Sequence, residues 1–251
     1  MIDKKYKFAV FDFDGVVCDS TNECMVTAWN TWERWSNSDR FRCDLSKFTN
    51  SDKESFRKLR PYVRGAGEYY IVMRVLNSTN EIVNNQNDFD ALVNLWKDQL
   101  KPFKDMFFIE RNRLRKKDLD GWIQLHENYH DVINVMKNLN NENRVLVATL
   151  IDGKSVRLIL ERNNIHISKE NILDQSMISS KLEALNHFIS VKKINKQELC
   201  FIDDNVTHLI EPKKHGFHVF LSAWGETLPE YKEKALKENI SILENIKEED
   251  Y

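Results

Sequence analysis

Short, continuous runs of apolar residues mark the predicted strands of this chain. Three runs contain no polar position, and two weaker runs resemble them; they span residues 8–11, 145–148, 199–202, 172–173 and 217–221. Strands that are apolar at every position are typical of a parallel sheet covered on both faces, whereas a half-exposed strand alternates. The pattern therefore predicts five strands of one buried parallel sheet.

Apolar residues spaced by three or four positions lie between these runs and predict amphipathic helices. Three such stripes are present, and their residues are Trp122, Leu125, Tyr129, Val132, Ile133 and Met136, then Val156, Ile159 and Leu160, then Leu182, Leu185, Phe188 and Ile189. Strands and helices alternate, so the C-terminal half is predicted to be a doubly wound α/β domain. The sequence Thr227-Leu228-Pro229-Glu230 resembles a capping box and predicts the start of the last helix.

The segment 21–118 has a different pattern. It contains several helical stripes and no convincing buried strand, and it holds four tryptophans, at Trp29, Trp32, Trp35 and Trp96. The segment interrupts the α/β pattern directly after the first strand, and it is long enough to form a small core of its own. We therefore predict a core domain formed by residues 1–20 and 119–251, and an inserted α-helical domain formed by residues 21–118.

Composition and charge narrow the classes of protein that need to be considered. The chain has 251 residues, of which 37 are basic and 39 acidic, so nothing in its charge indicates nucleic acid or a membrane surface as a partner. No apolar stretch approaches the roughly 20 residues that span a bilayer, and the N-terminus lacks the apolar region of a signal peptide. The four cysteines form no C-x-x-C pair, which favours free thiols. We expect a cytoplasmic protein that is a monomer or a homodimer.

Polar residues follow three of the predicted strands, at the point where each strand ends. Asp12 and Asp14 follow the first strand, Thr149 follows the strand 145–148, and Asp203 and Asp204 follow the strand 199–202. In open α/β sheets, ligands bind beyond the carboxyl ends of the strands. Burying a carboxylate costs free energy unless it is paired or bound to a cation. Residues two apart on a strand point the same way, so Asp12 and Asp14 can approach one ion. The carboxylates therefore predict a magnesium site.

The same residues suit phosphoryl transfer. One carboxylate can attack phosphorus, a second carboxyl group can protonate the leaving oxygen, and cations and hydroxyls can neutralise the phosphoryl oxygens. Lys181 is the candidate cation, because Ser180-Lys181-Leu182-Glu183 is a capping box that places Lys181 at the first position of a helix. A lysine there opposes the helix dipole by about 0.3–1 kcal/mol, which a bound phosphate would offset. An exposed lysine without a role is the alternative.

The tract from Asp12 to Ser20 (DFDGVVCDS) resembles the first motif of the haloacid dehalogenase-like hydrolase superfamily. Three further motifs of that family follow in order: a strand that ends in Thr149, the helix-opening Lys181, and Phe201-Ile202-Asp203-Asp204-Asn205. The resemblance covers the first twenty residues and the chain after about residue 120. It implies a Rossmann-like core with an inserted helical cap of the C1 type, which is the segment 21–118.

The resemblance also implies roles for individual residues. Asp12 would be the nucleophile and Asp14 the general acid and base, with Mg²⁺ held by Asp12, the backbone carbonyl of Asp14, and Asp204. Asp203 is the alternative ligand, because many relatives have Gly-Asp where this chain has two aspartates. Asp14 favours phosphate esters, since dehalogenases of the family lack this residue. His208 stands where many relatives have a further aspartate, and it either supports the site or lies on a helix surface.

Substrate recognition is predicted from the cap and from the first motif. The stretch from Arg60 to Glu68 combines arginines with glycines, and Arg64 and Arg60 are the predicted substrate contacts, together with Gly15 in the core. Guanidinium groups bind anions in a bidentate way, although a basic helix surface would show the same composition. The predicted substrate is a small phosphorylated metabolite. A phosphomutase that resembles β-phosphoglucomutase, or a non-catalytic binding or regulatory protein on this fold, are the alternatives.

Overall fold

The computed structural model describes residues 6–78, 80–225 and 227–246, which form two compact units. The first unit contains the described residues up to Asp19 and those from Asn128 onward. The second unit extends from Ser20 to Glu127. None of the described helices is both long and apolar enough to cross a membrane.

The first unit is built on a six-stranded parallel sheet. Its strands are β1 (Phe8–Phe11), β4 (Val145–Ala148), β5 (Ile172–Leu173), β6 (Leu199–Asp203), β7 (His218–Ser222) and β8 (Ser241–Leu243). The two-residue strands β2 (Cys18–Asp19) and β3 (Glu127–Asn128) lie outside this sheet. The strand order is β5-β4-β1-β6-β7-β8, and every neighbouring pair is parallel. This confirms the predicted doubly wound α/β sheet and its five strands.

Five helices accompany the sheet: α7 (His130–Asn141), α8 (Gly153–Arg162), α9 (Lys181–Lys192), α10 (Val206–Lys214) and α11 (Pro229–Lys237). All four residues of β4 and all five residues of β6 are buried, as expected for strands covered on both faces. Phe201 and Leu146 of these strands pack in one apolar core with Phe188 and Leu185 of α9. Complete burial of such side chains stabilises the fold by about 1.5–3 kcal/mol each.

The continuous helix predicted from Trp122 to Met136 is wrong. The structure has two helices there, α6 (Leu119–Gln124) and α7, with β3 between them. The backbone N–H of Tyr129 donates to the carbonyl oxygen of Val17 at 3.1 Å, so it is not available to continue a helix. The chain passes from the second unit to the first at this point, and each unit buries its own part of the apolar stripe.

The capping box predicted at Thr227 is also wrong, although Pro229 does open the last helix. The N-cap of α11 is Leu228, and no side chain caps this helix. The Thr227 hydroxyl donates instead to the carbonyl oxygen of Ser222 at 2.6 Å and lies 3.2 Å from that of Asp204. Thr227 therefore ties the end of β7 to the residue that follows β6.

The second unit is helical, and its described residues between 21 and 118 contain no strand. Its helices are α1 (Thr21–Trp35), α2 (Asn50–Leu59), α3 (Tyr69–Asn77), α4 (Gln86–Leu95), α5 (Lys97–Lys117) and α6. Tyr69 stacks between Phe56 and Phe107, with ring centroids 5.9 and 5.0 Å away. A buried ion pair joins α1 to α5, since Arg111 Nη2 lies 2.6 Å from Glu23 Oε2. This unit therefore has a core of its own.

Candidate active site

The carboxyl ends of three adjacent strands meet at one edge of the sheet. Phe11 of β1 pairs with Val147 of β4 on one side and with Ile202 of β6 on the other. The backbone N–H of Asp12 continues the ladder, donating to the carbonyl oxygen of Ile202 at 2.9 Å. Asp12, Thr149 and Asp203 therefore lie at the same edge because of strand register.

Helix α9 begins at Lys181, as its capping sequence predicts. The Ser180 hydroxyl accepts the backbone N–H of Glu183 at 3.2 Å. The Glu183 carboxylate accepts the backbone N–H of Ser179 at 2.7 Å, one residue earlier than a standard capping box uses. The cap fixes the first turn of α9, and Lys181, which is 4% exposed, is among its buried residues.

The ammonium group of Lys181 connects the three strand ends. Its Nζ lies 2.7 Å from Asp12 Oδ1 and 3.3 Å from Asp203 Oδ2, and it donates to the carbonyl oxygen of Ala148 at 2.7 Å. These contacts match the three donors of a protonated lysine. Burial lowers the pKa of Lys181, but the two carboxylates outweigh burial and leave this pKa above its ordinary value. Lys181 is therefore a buried cation.

Asp12 is buried, with 7% of its surface exposed. Burial, with the nearby charge of Asp203, raises the pKa of Asp12 to about 6, although Lys181 and His208 oppose the increase. Its Oδ1 accepts the backbone N–H of Phe13 at 2.7 Å in addition to the contact with Lys181. At neutral pH the carboxylate is therefore mostly ionised, as a nucleophile must be.

Asp203 is completely buried and is held by more groups than Asp12. Its Oδ1 accepts the backbone N–H of Asn205 at 2.9 Å, and its two oxygens lie 3.1 and 3.2 Å from His208 Nδ1. Burial alone would raise the pKa of Asp203, but His208 and Lys181 outweigh it and lower this pKa to about 2. Of the two interpretations of His208, the structure supports the one in which it contacts the site.

The site also offers oxygen atoms that suit a hard divalent cation. Asp14 Oδ1 is buried and has no hydrogen-bond partner among the described residues. The Asp204 carboxylate lies against Gly15, where an added Cβ would come 2.0 Å from Asp204 Oδ2. Asp12, Asp203 and His208 each place a potential ligand atom within 4.8 Å of the others. Carboxylate oxygens are among the ligands that Mg²⁺ prefers, so the aspartates of this group fit the ion, whereas the imidazole of His208 is not a typical Mg²⁺ ligand.

The structure was compared with known proteins, and the matches were found among solved structures. No protein-family model and no curated protein matches the sequence. A haloacid dehalogenase-like family hydrolase from Streptococcus pneumoniae superimposes with a TM-score of 0.63 at 12% identity, over 96% of this chain and 95% of that one. A predicted phosphatase from Clostridium acetobutylicum gives 0.59 at 12% identity, over 98% and 95% of the two chains. A predicted phosphoglycolate phosphatase from Haemophilus somnus gives 0.59 at 13%, over 96% and 95%.

The chain has the fold of the haloacid dehalogenase-like hydrolases. At these identities the likeness concerns the fold, so the roles of individual residues depend on the geometry described above. The four sequence tracts that resemble the motifs of this family contain Asp12, Asp14, Thr149, Lys181 and the pair Asp203-Asp204, and those residues all lie in the first unit. Their catalytic and metal-binding roles stay predictions.

A fourth strand end belongs to the same site and was missed in the sequence. After β7, Trp224 Nε1 donates to the carbonyl oxygen of Val16 at 3.0 Å. A Cβ added to Gly225 would come 1.9 Å from the carbonyl oxygen of Gly15 and 2.9 Å from Asp204 Cβ. Gly15 itself has φ of +79°, a conformation that favours glycine. The loop after β7 therefore packs directly on the first motif of this haloacid dehalogenase-like fold, and the predicted strand 217–221 was the signal that could have located it.

The predicted substrate contacts of the cap lie in the second unit. Arg64 pairs with Asp90, and its Nε lies 3.6 Å from Glu68 Oε1. Arg60 is buried at 8% exposure, and its guanidinium carbon lies 6.0 Å from the ring centre of Tyr69. Both arginines therefore have structural contacts within their own unit, and their binding of substrate stays a prediction.

Proposed function

We propose that this protein is a magnesium-dependent phosphohydrolase that acts on a small phosphorylated metabolite through an aspartyl-phosphate on Asp12. The main support is the contact between the buried ammonium of Lys181 and the carboxylate of Asp12 at the meeting point of three strand ends. Asp14, two residues after Asp12, provides a second carboxyl group, and its Oδ1 is buried without a hydrogen-bond partner among the described residues. Two of the solved structures that share this fold are described as predicted phosphatases, which supports the same reaction class.

In the first step, an oxygen of Asp12 attacks phosphorus while the bond to the ester oxygen breaks. Oδ1 accepts the backbone N–H of Phe13 and contacts Lys181, and these two donors hold the carboxylate in position for the attack. Asp14, in its protonated form, gives its proton to the leaving oxygen, so that an alcohol departs. Lys181 and the Thr149 hydroxyl stabilise the negative charge on the phosphoryl oxygens.

In the second step, Asp14 is a carboxylate and accepts a proton from water. That water attacks phosphorus, the bond between phosphorus and Asp12 breaks, and inorganic phosphate leaves with Asp12 regenerated. Mg²⁺, held by Asp12, the backbone carbonyl of Asp14 and Asp204 or Asp203, would neutralise part of the charge of the phosphoryl group. The buried setting of Lys181 keeps its charge fixed beside Asp12 throughout.

Hydrolysis of an aryl phosphate tests the proposal. The purified protein should release phosphate from p-nitrophenyl phosphate with Mg²⁺, and EDTA or Asp12→Ala should abolish release. Asp131→Ala is the matched control, because Asp131 is an exposed aspartate in the first turn of α7. Release that persists in Asp12→Ala would exclude the covalent mechanism. Isomerisation of a hexose phosphate without release of phosphate would favour the phosphomutase instead.

A further inference from the structure

The second unit contains a cavity of about 380 Å³. This volume lies at the lower end of the range of small-molecule sites, which is roughly 300–1,000 Å³. Met25, Phe56, Met73 and Leu76 provide apolar walls, and Ser51 and Ser55, four residues apart on α2, line it with hydroxyls. The lining therefore combines apolar side chains with polar groups, and such a mixture can hold a small organic ligand.

Arg42, which also lines this cavity, is held in place through its backbone. Asn30 Nδ2 donates to the carbonyl oxygen of Arg42 at 2.9 Å, and the backbone N–H of Arg42 donates to Asn30 Oδ1 at 2.8 Å. Asn30 is on α1 and is only 1% exposed. The loop that carries Arg42 is therefore fixed to a helix by a buried side chain.

The guanidinium group of Arg42 is held by aromatic rings and not by acids. Its central carbon lies 3.8 Å from the ring centre of Trp29 and 4.1 Å from that of Phe48. Within the described part of the chain, no hydrogen bond or ion pair to this guanidinium is found. Arg40, two residues earlier, differs, since its Nε and Nη2 lie 2.7 and 2.8 Å from the carboxylate of Glu33. Arg42 thus has a fixed position and donors that remain available to a ligand.

We propose that this cavity binds a small organic carboxylate with an apolar body, whose carboxylate contacts Arg42. A guanidinium is a planar fork that matches the two oxygens of a carboxylate. The carboxylate of Asp52 also lines the cavity, with its Oδ2 accepting the backbone N–H of Thr49 at 2.8 Å. A second negative charge on the ligand would be repelled by Asp52, which favours a singly charged carboxylate over a phosphate.

Fluorine NMR of the full-length protein labelled with 5-fluorotryptophan tests this proposal. The resonance of Trp29 is assigned with Trp29→Phe, and the protein is titrated with 3-phenylpropionate, hexanoate and benzoate. At least one carboxylate should shift the Trp29 resonance in a saturable way, and 3-phenylpropanol, the uncharged analogue of the first, should bind at least tenfold more weakly. No step uses hydrolysis, so the result is independent of the proposed phosphatase activity.

Two variants separate Arg42 from general binding. Arg42→Gln should lower the affinity for the carboxylate at least tenfold, because it removes the charged donor. Arg40→Gln should leave this affinity within about twofold of the wild type, because Arg40 is already paired with Glu33. Ser55→Leu narrows the cavity without changing Arg42 and should also weaken binding. The proposal is overturned if none of the three carboxylates gives a saturable shift, if the alcohol binds as well as the acid, or if Arg42→Gln binds normally.

Discussion

Replacing Lys181 with methionine is the most direct test of the buried charges at the candidate site. The substitution keeps the length of the side chain and removes the group that contacts Asp12, Asp203 and the carbonyl oxygen of Ala148. Asp203 keeps its contacts with Asn205 and His208, so the unpaired charge falls mainly on Asp12. Removing one partner of a buried ion pair costs about 3–5 kcal/mol of unfolding free energy, and we expect a loss in this range at pH 8.

The loss should depend on pH, with a sign that follows from the pKa of Asp12. In the wild type, burial raises this pKa from 3.8 to about 6 despite the opposing charge of Lys181, so folded Asp12 binds its proton more tightly than unfolded Asp12. Stability therefore falls as pH rises from about 4 to about 6 and is then independent of this group. Without Lys181 the folded pKa rises further, and each additional unit removes about 1.4 kcal/mol above the new pKa. The penalty of Lys181→Met should accordingly grow above pH 6.

The assay is urea unfolding in EDTA, followed by far-UV circular dichroism between pH 5 and pH 8. Tryptophan fluorescence is less suitable, because five of the six tryptophans lie in the second unit and only Trp224 lies in the first. Lys192→Met is the matched control at the opposite end of α9, where Nζ donates to Asn171 Oδ1 at 2.6 Å and lies 5.8 Å from the ring centre of Phe8, with no carboxylate contact among the described residues. It should cost no more than about 1 kcal/mol. Equal stability of the two variants at pH 8 would show that the buried contacts of Lys181 are absent.

Two further predictions concern the acid and base and the loop after β7. Asp14→Asn should lower kcat for p-nitrophenyl phosphate by about 10²–10⁴-fold, because an asparagine side chain cannot take a proton from the attacking water. Nitrophenolate leaves without an acid, so the first step continues and phosphoryl-protein should accumulate and be visible in the mass spectrum. Wild-type turnover in this variant would exclude Asp14 as the acid and base. Gly225→Ala should destabilise the protein by about 1–3 kcal/mol in thermal unfolding, because its Cβ would come 1.9 Å from the carbonyl oxygen of Gly15. Gly65→Ala is the control that should be tolerated, because a Cβ at Gly65 has nothing within 4 Å.

The sheet could be predicted because its central strands are buried on both faces and are therefore apolar at every position. The strand β8 was missed because Ser241–Leu243 has three residues, of which the first is exposed and the others half-buried. The single helix predicted from Trp122 to Met136 failed for a different reason. Two helices that belong to different units happen to continue the same apolar spacing, and spacing alone does not reveal that the chain crosses between units at that point.

The candidate site could be predicted to the extent that it is built from strand ends. Asp12, Thr149 and Asp203 follow apolar runs, and the parallel register brings them to one edge. The contact of His208 with Asp203 was left open, because a histidine in the first turns of a helix has no local signal that distinguishes a surface from a site. The packing of Gly225 on Gly15 joins residues 210 positions apart, and such a close approach depends on the folded core.

The two adjacent aspartates at the end of β6 have different surroundings, which suggests different tasks. Asp203 is completely buried and contacts Lys181, His208 and the backbone of Asn205. We expect a carboxylate engaged in this way mainly to stabilise the metal-free protein. Asp204 is 8% exposed and lies against Gly15, beside the turn that carries Asp14. We therefore expect Asp204 to be the residue that holds Mg²⁺.

Thermal unfolding of Asp203→Asn and Asp204→Asn, with and without Mg²⁺, separates these tasks. A ligand at a hundred times its dissociation constant stabilises the folded state by about 2.7 kcal/mol, which should appear as a higher Tm of the wild type with Mg²⁺. Asp204→Asn should unfold near the wild-type temperature in EDTA and lose the increase caused by Mg²⁺. Asp203→Asn should unfold at a lower temperature in EDTA, because one of the two carboxylates that balance the buried positive charge of Lys181 is removed. Its Tm should still rise when Mg²⁺ is added. The reverse pattern would assign the metal to Asp203, and an unchanged response in both variants would exclude Mg²⁺ binding by either aspartate.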